Sequence, residues 1–260
     1  MHTWSKAILL AYPQLSGYNH YILVPYNTAT CPNAGDGQQP GSLSKVHSLY
    51  YFKIKAASHE FGHNLGLSHA SSLTCVNDQG VDVPIWNVAN CSRQEYGDAY
   101  STMGGLGLDV PHVTNVERLY RGWLSLPGNV VNITGNGTFS LYNIDTNWNT
   151  DPSKPLMLTL RLPSPFPLIN KYDTYALELH GGYPLTNSTF IRDPMTKRTF
   201  NIAVFIRMMK LGASSINPML VRKILGEAGD SFIDPIHKVN MTLVSISNER
   251  VTLNINFGYI

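Results

Sequence analysis

The sequence is short of charged residues, of cysteine and of long apolar runs. Charged residues make up 14% of its 260 residues, against roughly 25% in average globular proteins, and the formal net charge is only +2. So small a net charge gives no electrostatic basis for nucleic-acid binding. No run of 18 apolar residues is present, so we predict no transmembrane segment.

Cysteine is scarce, with three residues in the whole chain: Cys31, Cys75 and Cys91. Cys75 and Cys91 flank a single loop, and we expect a disulfide between them in an oxidising compartment. Cys31 is then either unpaired or bonded to a residue outside this sequence.

The low charge and five N-x-S/T sequons favour an extracellular glycoprotein. The sequon asparagines are Asn90, Asn132, Asn136, Asn187 and Asn240. The first apolar stretch runs only from Ala7 to Ala11, which is too short for the core of a signal peptide. We therefore expect that the N-terminal part of the protein is missing from this sequence, and a cytoplasmic protein is the alternative.

Residues 59–69 form the string HEFGHNLGLSH, which fits the pattern H-E-x-x-H-x-x-G-x-x-H. His59 and His63 are four residues apart, and side chains at that spacing share one face of a helix. Both imidazoles can therefore reach one Zn²⁺. We expect Gly66 to end the helix, because glycine adopts the left-handed conformation without a steric penalty. The chain then turns back, and His69 supplies a third ligand.

Three protein ligands leave a fourth position for water, which is typical of a catalytic zinc rather than a structural one. We predict one catalytic Zn²⁺, with Glu60 as the general base that takes a proton from this water and passes it to the leaving amine. The alternative is a buried amphipathic helix with incidental histidines, since apolar residues recur at spacings of three and four over residues 44–66.

A second motif lies downstream, where Met103 is followed by two glycines. A methionine before a glycine turn, after a long loop from the third histidine, is typical of the Met-turn of metzincin proteases. The zinc string, the EYGD element at residues 95–98 and the RGWL element at residues 121–124 together resemble the gametolysin family of secreted metzincin zinc proteases. The resemblance covers about residues 21–124.

The resemblance implies a role for each matching residue. His59, His63 and His69 are zinc ligands, Glu60 is the catalytic base, and Met103 is the Met-turn residue. It further implies that the edge strand before the helix pairs with the substrate backbone near residues 41–43. Asp98 is expected to be a structural anchor of its loop. The implied substrates are proteins of the extracellular matrix or glycoproteins of the cell wall.

The organisation of the chain predicts an α+β fold. Residues 1–124 are expected to form a metzincin-like zinc protease domain, with a mixed sheet, one helix over residues 44–66, a long loop to Met103 and a short helix over Asn115–Tyr120. After Trp123 the pattern changes to short alternating runs typical of strands. We predict a β-sandwich-like domain over residues 125–260, whose role in glycan binding, substrate orientation or support is open.

These patterns predict a secreted zinc endopeptidase that acts on protein or glycoprotein substrates. The alternative is a catalytically silent adhesion or carbohydrate-binding protein that retains a structural zinc site, and the intact Glu60 argues against it. The sequence indicates neither a calcium requirement nor an oligomeric state.

Overall fold

The computed structural model describes residues 10–24, 34–47, 54–79, 83, 85, 88–105, 113–124, 127–145, 151–165, 172–181, 191–192, 198–211 and 217–258. Cys31 lies outside these ranges. The chain divides into two compact units, residues 1–68 and residues 69–260. The predicted division into a catalytic domain and a C-terminal domain at residues 124 and 125 concerns function, and it stays a prediction.

The first unit contains a small sheet and a helix. Its strands are β1 (Tyr21–Leu23), β2 (Gly35–Gly37) and β3 (Leu43–Val46), and its helix is α1 (Ile54–Asn64). The strand order is β1-β3-β2, with β1 parallel and β2 antiparallel to β3. A single 3-10 turn, Pro13–Gly17, precedes the sheet in the described residues.

The second unit is built mainly of strands. They are β4 (Ser71–Cys75), β5 (Cys91–Gln94), β6 (Val130–Asn132), β7 (Gly137–Tyr142), β8 (Met157–Arg161), β9 (Thr174–Gly181), β10 (Ile191–Arg192), β11 (Thr199–Phe200), β12 (Ile202–Met209), β13 (Met219–Leu225), β14 (Ser231–Asp234), β15 (Val239–Ile246) and β16 (Arg250–Phe257). The unit also contains a 3-10 turn at Val88–Asn90 and helix α2 (Asn115–Tyr120).

Two sheets of the second unit enclose a common core. The larger sheet has the order β5-β4-β13-β12-β9-β8-β6, and the smaller one has the order β14-β15-β16-β7. Buried side chains of the larger sheet, such as Leu177 and Val204, form one hydrophobic cluster with Met241 and Leu253 of the smaller sheet. In β16 the side chains alternate in burial from Val251 to Ile255, as expected for a strand with one face on a core.

The central strands of the larger sheet are covered on both faces. All eight residues of β12 are buried. Ile206 belongs to the core shared with the smaller sheet, whereas Phe205 belongs to a separate cluster with Tyr100. Because successive side chains point to opposite faces, Arg207 lies on the same face as Phe205. This face also carries Glu178 of β9, the residue that pairs with Phe205 in register.

The predicted α+β fold is wrong, because the described residues are mostly in strands and include only two complete α-helices against sixteen strands. Two segments explain the error. The spacing of apolar residues predicts one helix over residues 44–66, but the first of these residues lie in β3, and the helix in the described residues spans Ile54–Asn64. The long loop predicted before Met103 contains β4 and β5, which extend the larger sheet. The predicted helix Asn115–Tyr120 is confirmed.

Candidate metal centre

Two of the three motif histidines lie on α1. The ring centroids of His59 and His63 are 4.9 Å apart, with the ring planes at 89°. Nδ1 of His63 lies 2.8 Å from the carbonyl oxygen of Leu67. A carbonyl oxygen can only accept, so Nδ1 carries the proton and Nε2 is the atom that can bind a metal.

The end of α1 is a Schellman motif centred on Gly66. The φ angle of Gly66 is +85°, a conformation that glycine adopts without the steric cost of a Cβ atom. The amide of Gly66 donates to the carbonyl of His63 at 2.8 Å, and the amide of Leu67 donates to the carbonyl of Gly62 at 3.0 Å. The same turn therefore ends the helix and carries the Leu67 carbonyl to the His63 ring.

Asn64 fastens the last turn of α1 to the small sheet. Its amide nitrogen donates to the carbonyl oxygens of Gln38 and Leu43, each at 3.0 Å. Its amide oxygen accepts from the hydroxyl of Ser44 at 2.8 Å. Because Asn64 follows His63 directly, these bonds fix the helix end at the point where the second histidine leaves it.

The ligand atoms of His59, His63 and His69 all lie within 4.8 Å of one another. The three residues belong to one segment of 11 residues (59 to 69), so the helix and its terminal turn set their spacing. Three imidazole nitrogens fit Zn²⁺, which binds histidine at roughly 2.0–2.1 Å and is commonly four-coordinate. Imidazole also suits copper, iron and nickel, so the three histidines could hold any of these metals.

His69 has two partners in the turn that follows β5. Its Nδ1 lies 2.7 Å from the carboxylate oxygen Oε1 of Glu95. This hydrogen bond lowers the pKa of Glu95 below its usual value. The ring of His69 lies against the ring of Tyr96, with the centroids 3.8 Å apart and the planes at 34°. The third histidine is thus held by side chains that the motif does not include.

Glu60 is buried on α1 beneath strand β2. A Cβ atom built on Gly35 would lie 2.7 Å from Cγ and 2.9 Å from Oε1 of Glu60, so glycine at position 35 lets the strand approach the carboxylate closely. Burial and, to a lesser extent, the negative charge of Asp36 raise the pKa of Glu60 to about 7. A carboxyl group that titrates near neutrality is suited to proton transfer at physiological pH.

Main-chain bonds hold Ala70, the residue after His69. The amide of Ala70 donates to the carbonyl of Met103 at 2.8 Å, and its carbonyl accepts from the amide of Asp98 at 3.3 Å. Met103 is fully buried. A Cβ atom on Gly104 would overlap the carbonyl oxygen of Asp98, so glycine is required there. The segment 98–104 therefore holds the main chain in place next to the third histidine.

The buried carboxyl group of Glu117 supports segment 98–104. It accepts from the hydroxyl of Ser101 at 2.9 Å and from the amide of Thr114 at 2.7 Å. Thr114 caps α2 and accepts in turn from the amide of Glu117, which completes a capping box. The Ser101 hydroxyl also accepts from the amide of Met103 at 2.9 Å. Burial raises the pKa of Glu117 to about 7, despite these bonds from Thr114 and Ser101.

The parent protein should lose stability as the pH rises above 4.5. The Glu117→Gln variant should not show this loss. The pKa of Glu117 rises on folding from 4.5 to about 7, so the unfolded chain loses this proton first as the pH increases. The free energy of unfolding then falls between pH 4.5 and 7, by about 3 kcal/mol from this group. Glutamine keeps the capping box without a charge. Urea unfolding at pH 4 and pH 8 should show the variant gaining about 3 kcal/mol over the parent at pH 8 alone.

The exposed Glu227 provides the matched control for this measurement. Its side chain is 63% exposed, and we expect the Glu227→Gln variant to follow the parent at both pH values. An equal change of stability with pH in the parent and in the Glu117→Gln variant would contradict the assignment of a raised pKa to Glu117.

Arg207 lies on the buried face of β12 and holds the segment 98–104 through Asp98. Its Nε donates to Asp98 at 2.8 Å, and its Nη1 donates to Glu178 at 2.7 Å. All three side chains are fully buried. Burial opposes ionisation of Glu178, but the Arg207 guanidinium prevails and lowers the pKa of Glu178 to about 2. Asp98 therefore is an anchor of its loop, and Arg207 is a supporting residue that the sequence motif did not reveal.

Cys75 and Cys91 form a disulfide with a Cα–Cα distance of 3.9 Å. They are directly opposite each other in the antiparallel register of β4 and β5. The bond joins the strand that begins after His69 to the strand that ends before Glu95. Closing a loop with a sequence separation of 16 stabilises the fold by roughly 3 kcal/mol in the chain-entropy model.

No protein-family model, no curated protein and no solved structure matches the chain. The resemblance to the gametolysin family stays a prediction from the motifs. Among the described residues, no helix combines the length and the apolar character that crossing a membrane requires.

Proposed function

We propose that the chain is a zinc-dependent endopeptidase. The observation that supports this most strongly is the convergence of the ligand atoms of His59, His63 and His69 within 4.8 Å. Glu60, the proposed general base, is adjacent to the first of them. A structural zinc site would need a fourth protein ligand, and in the described residues the cluster contains three.

The three histidines and Glu60 have separate roles in the proposed reaction. His59, His63 and His69 would hold the ion, which when bound lowers the pKa of a water molecule and polarises the scissile carbonyl. Glu60 takes the proton of the attacking water and returns it to the leaving amine.

A peptide substrate suits the strand beside Glu60. In the described residues β2 is one of the two edge strands of its sheet, and an edge strand can pair with an extended peptide through main-chain hydrogen bonds. The resemblance implied a substrate-binding edge near residues 41–43, whereas we propose the edge at β2, Gly35–Gly37. Gly35 brings that edge close to the Glu60 carboxylate.

The proposed place of action is extracellular, and the proposed substrates are matrix or cell-wall glycoproteins. A disulfide between Cys75 and Cys91 favours an oxidising compartment. The five sequons favour the same route. The substrate class rests on the motif resemblance alone.

Metal analysis combined with a casein assay tests the proposed function. We expect the purified protein to contain about one zinc ion per chain, because the three imidazoles form one site. A chelator should abolish casein hydrolysis, and added Zn²⁺ should restore it, whereas added Mg²⁺ should not because it prefers oxygen ligands.

A His59→Ala/His63→Ala double variant is the control for metal bound elsewhere. It should retain no stoichiometric zinc and no hydrolysis. Unchanged casein hydrolysis by metal-free protein, or stoichiometric zinc in the double variant, would contradict the proposal.

A further inference from the structure

The third histidine differs from the other two in lying outside α1. His59 and His63 are oriented by the helix, and His63 is fixed further by the Leu67 carbonyl. His69 follows the Schellman turn, and its side chain keeps 23% of its surface exposed. Its ring direction must therefore be set by neighbouring side chains.

The pairing of β4 with β5 carries those side chains to His69. Ser72 pairs with Gln94, and the antiparallel register continues to the disulfide between Cys75 and Cys91. His69 precedes β4 and Glu95 follows β5, so the antiparallel pairing of the two strands brings these residues together. Glu95 then accepts from Nδ1 of His69 at 2.7 Å, which directs Nε2 toward a metal.

Tyr96 has a backbone conformation that core packing does not explain. Its φ angle is +59°, in the left-handed region that is rare for a bulky side chain. The residue is 43% exposed and lies at the third position of a turn in which the amide of Gly97 donates to the carbonyl of Gln94 at 3.1 Å. Its carbonyl accepts from the amide of Gly105 at 2.6 Å. Unfavourable backbone conformations of this kind cluster at functional sites, and here the ring covers one face of the His69 imidazole.

We propose that Glu95 and Tyr96 are positioning residues of the metal centre, which together fix the ring of His69 in the orientation that binds the ion. Glu95 sets the rotation of the ring through the hydrogen bond at Nδ1, and Tyr96 prevents the ring from tilting. The proposal rests on the proposed function, because it requires that the three histidines bind a metal. It adds a means by which the third ligand is held before the metal arrives.

Zinc affinity tests the role of Glu95 without reference to activity. In competition with a chromophoric chelator, we expect Glu95→Ala to bind Zn²⁺ roughly 10- to 100-fold more weakly than the parent, which is the usual effect of removing a partner of a metal-binding histidine. Glu95→Gln keeps an acceptor in the same place and should lose less. The matched control is Glu227→Ala, since Glu227 is as exposed as Glu95 (63% against 62%) and its carboxylate also accepts from one side-chain nitrogen.

Substitutions of Tyr96 separate positioning from stability. Tyr96→Phe should retain the affinity for Zn²⁺, because the ring contact remains. Tyr96→Gly and Tyr96→Ala should both lose affinity. Glycine relieves the left-handed backbone, so Tyr96→Gly should unfold at a higher urea concentration than Tyr96→Ala and yet bind zinc no better. The visible spectrum of the Co²⁺-substituted proteins should change in both variants and remain unchanged in Tyr96→Phe.

The outcomes distinguish the two proposals. If the parent protein binds no zinc, both the proposed function and this inference are wrong. If the parent binds zinc and Glu95→Ala and Tyr96→Gly match the Glu227→Ala control in affinity and in Co²⁺ spectrum, the proposed function stands and the positioning role is wrong.

Discussion

The Glu60→Gln protein should hydrolyse casein roughly 10²- to 10⁴-fold more slowly than the parent, which is the range expected for the loss of a general base. Glutamine has nearly the shape of glutamate and cannot take a proton from water. Glu60 is buried beside Gly35, where a side chain of equal size is needed to avoid a cavity. The zinc content should remain that of the parent, because the three ligands are histidines. The measurements are the rate of casein hydrolysis and elemental analysis of the same sample.

Two controls make this result specific to Glu60. Glu227→Gln changes an exposed carboxylate of the second unit and should leave the rate unchanged. A Glu60→Asp variant keeps the carboxyl group but shortens it, and should retain more activity than Glu60→Gln. A Glu60→Gln protein that cleaves casein as fast as the parent would exclude the proposed mechanism, even if zinc is present.

The second large effect is expected at Arg207, where substitution by methionine should destabilise the protein by about 3–5 kcal/mol, the usual cost of breaking a buried ion pair. The loss of the guanidinium removes the buried cation that Asp98 and Glu178 share, and Glu178 keeps only its weaker pairing with His180. In the parent protein the pKa of Glu178 is about 2. It should rise in the variant, because less positive charge then offsets the effect of burial. Urea unfolding at neutral pH measures the change.

Arg198 provides the matched control for Arg207. It pairs with Glu227 and Asp230, but its side chain is 37% exposed, so Arg198→Met should cost no more than about 1 kcal/mol. Adding Asp98→Asn and Glu178→Gln to the Arg207→Met protein removes both stranded charges and should recover part of the loss. If Arg207→Met is no less stable than Arg198→Met, the buried pairs do not anchor the loop as described.

The sequence predicts the helix and turn of residues 59–66 well, because both depend on neighbours along the chain. The spacing of His59 and His63 requires only a helical turn, and Gly66 marks the point where the helix must end. The short alternating runs predicted after Trp123 likewise overlap observed strands, among them β9, β12 and β16. Each of these runs shows its pattern within a few residues.

The sequence fails where distant segments meet. Glu95 reaches His69 only because β4 pairs with β5, and Asp98 reaches Arg207 across 109 residues. One signal was present: β12 reads IAVFIRMM, and a single arginine within an otherwise apolar strand indicates a buried charge that needs a partner. The glutamate and histidine within β9 indicate the same. The sequence alone could not pair them, since pairing depends on strand order.

The two hydrogen bonds that hold Ala70 come from main-chain atoms of Asp98 and Met103. In a set of diverging relatives, the side chain at position 103 could therefore vary while the third imidazole kept its place. Gly104 could not, because any larger residue would collide with the Asp98 carbonyl. Among such relatives we expect glycine to be invariant at position 104 and methionine to vary at position 103.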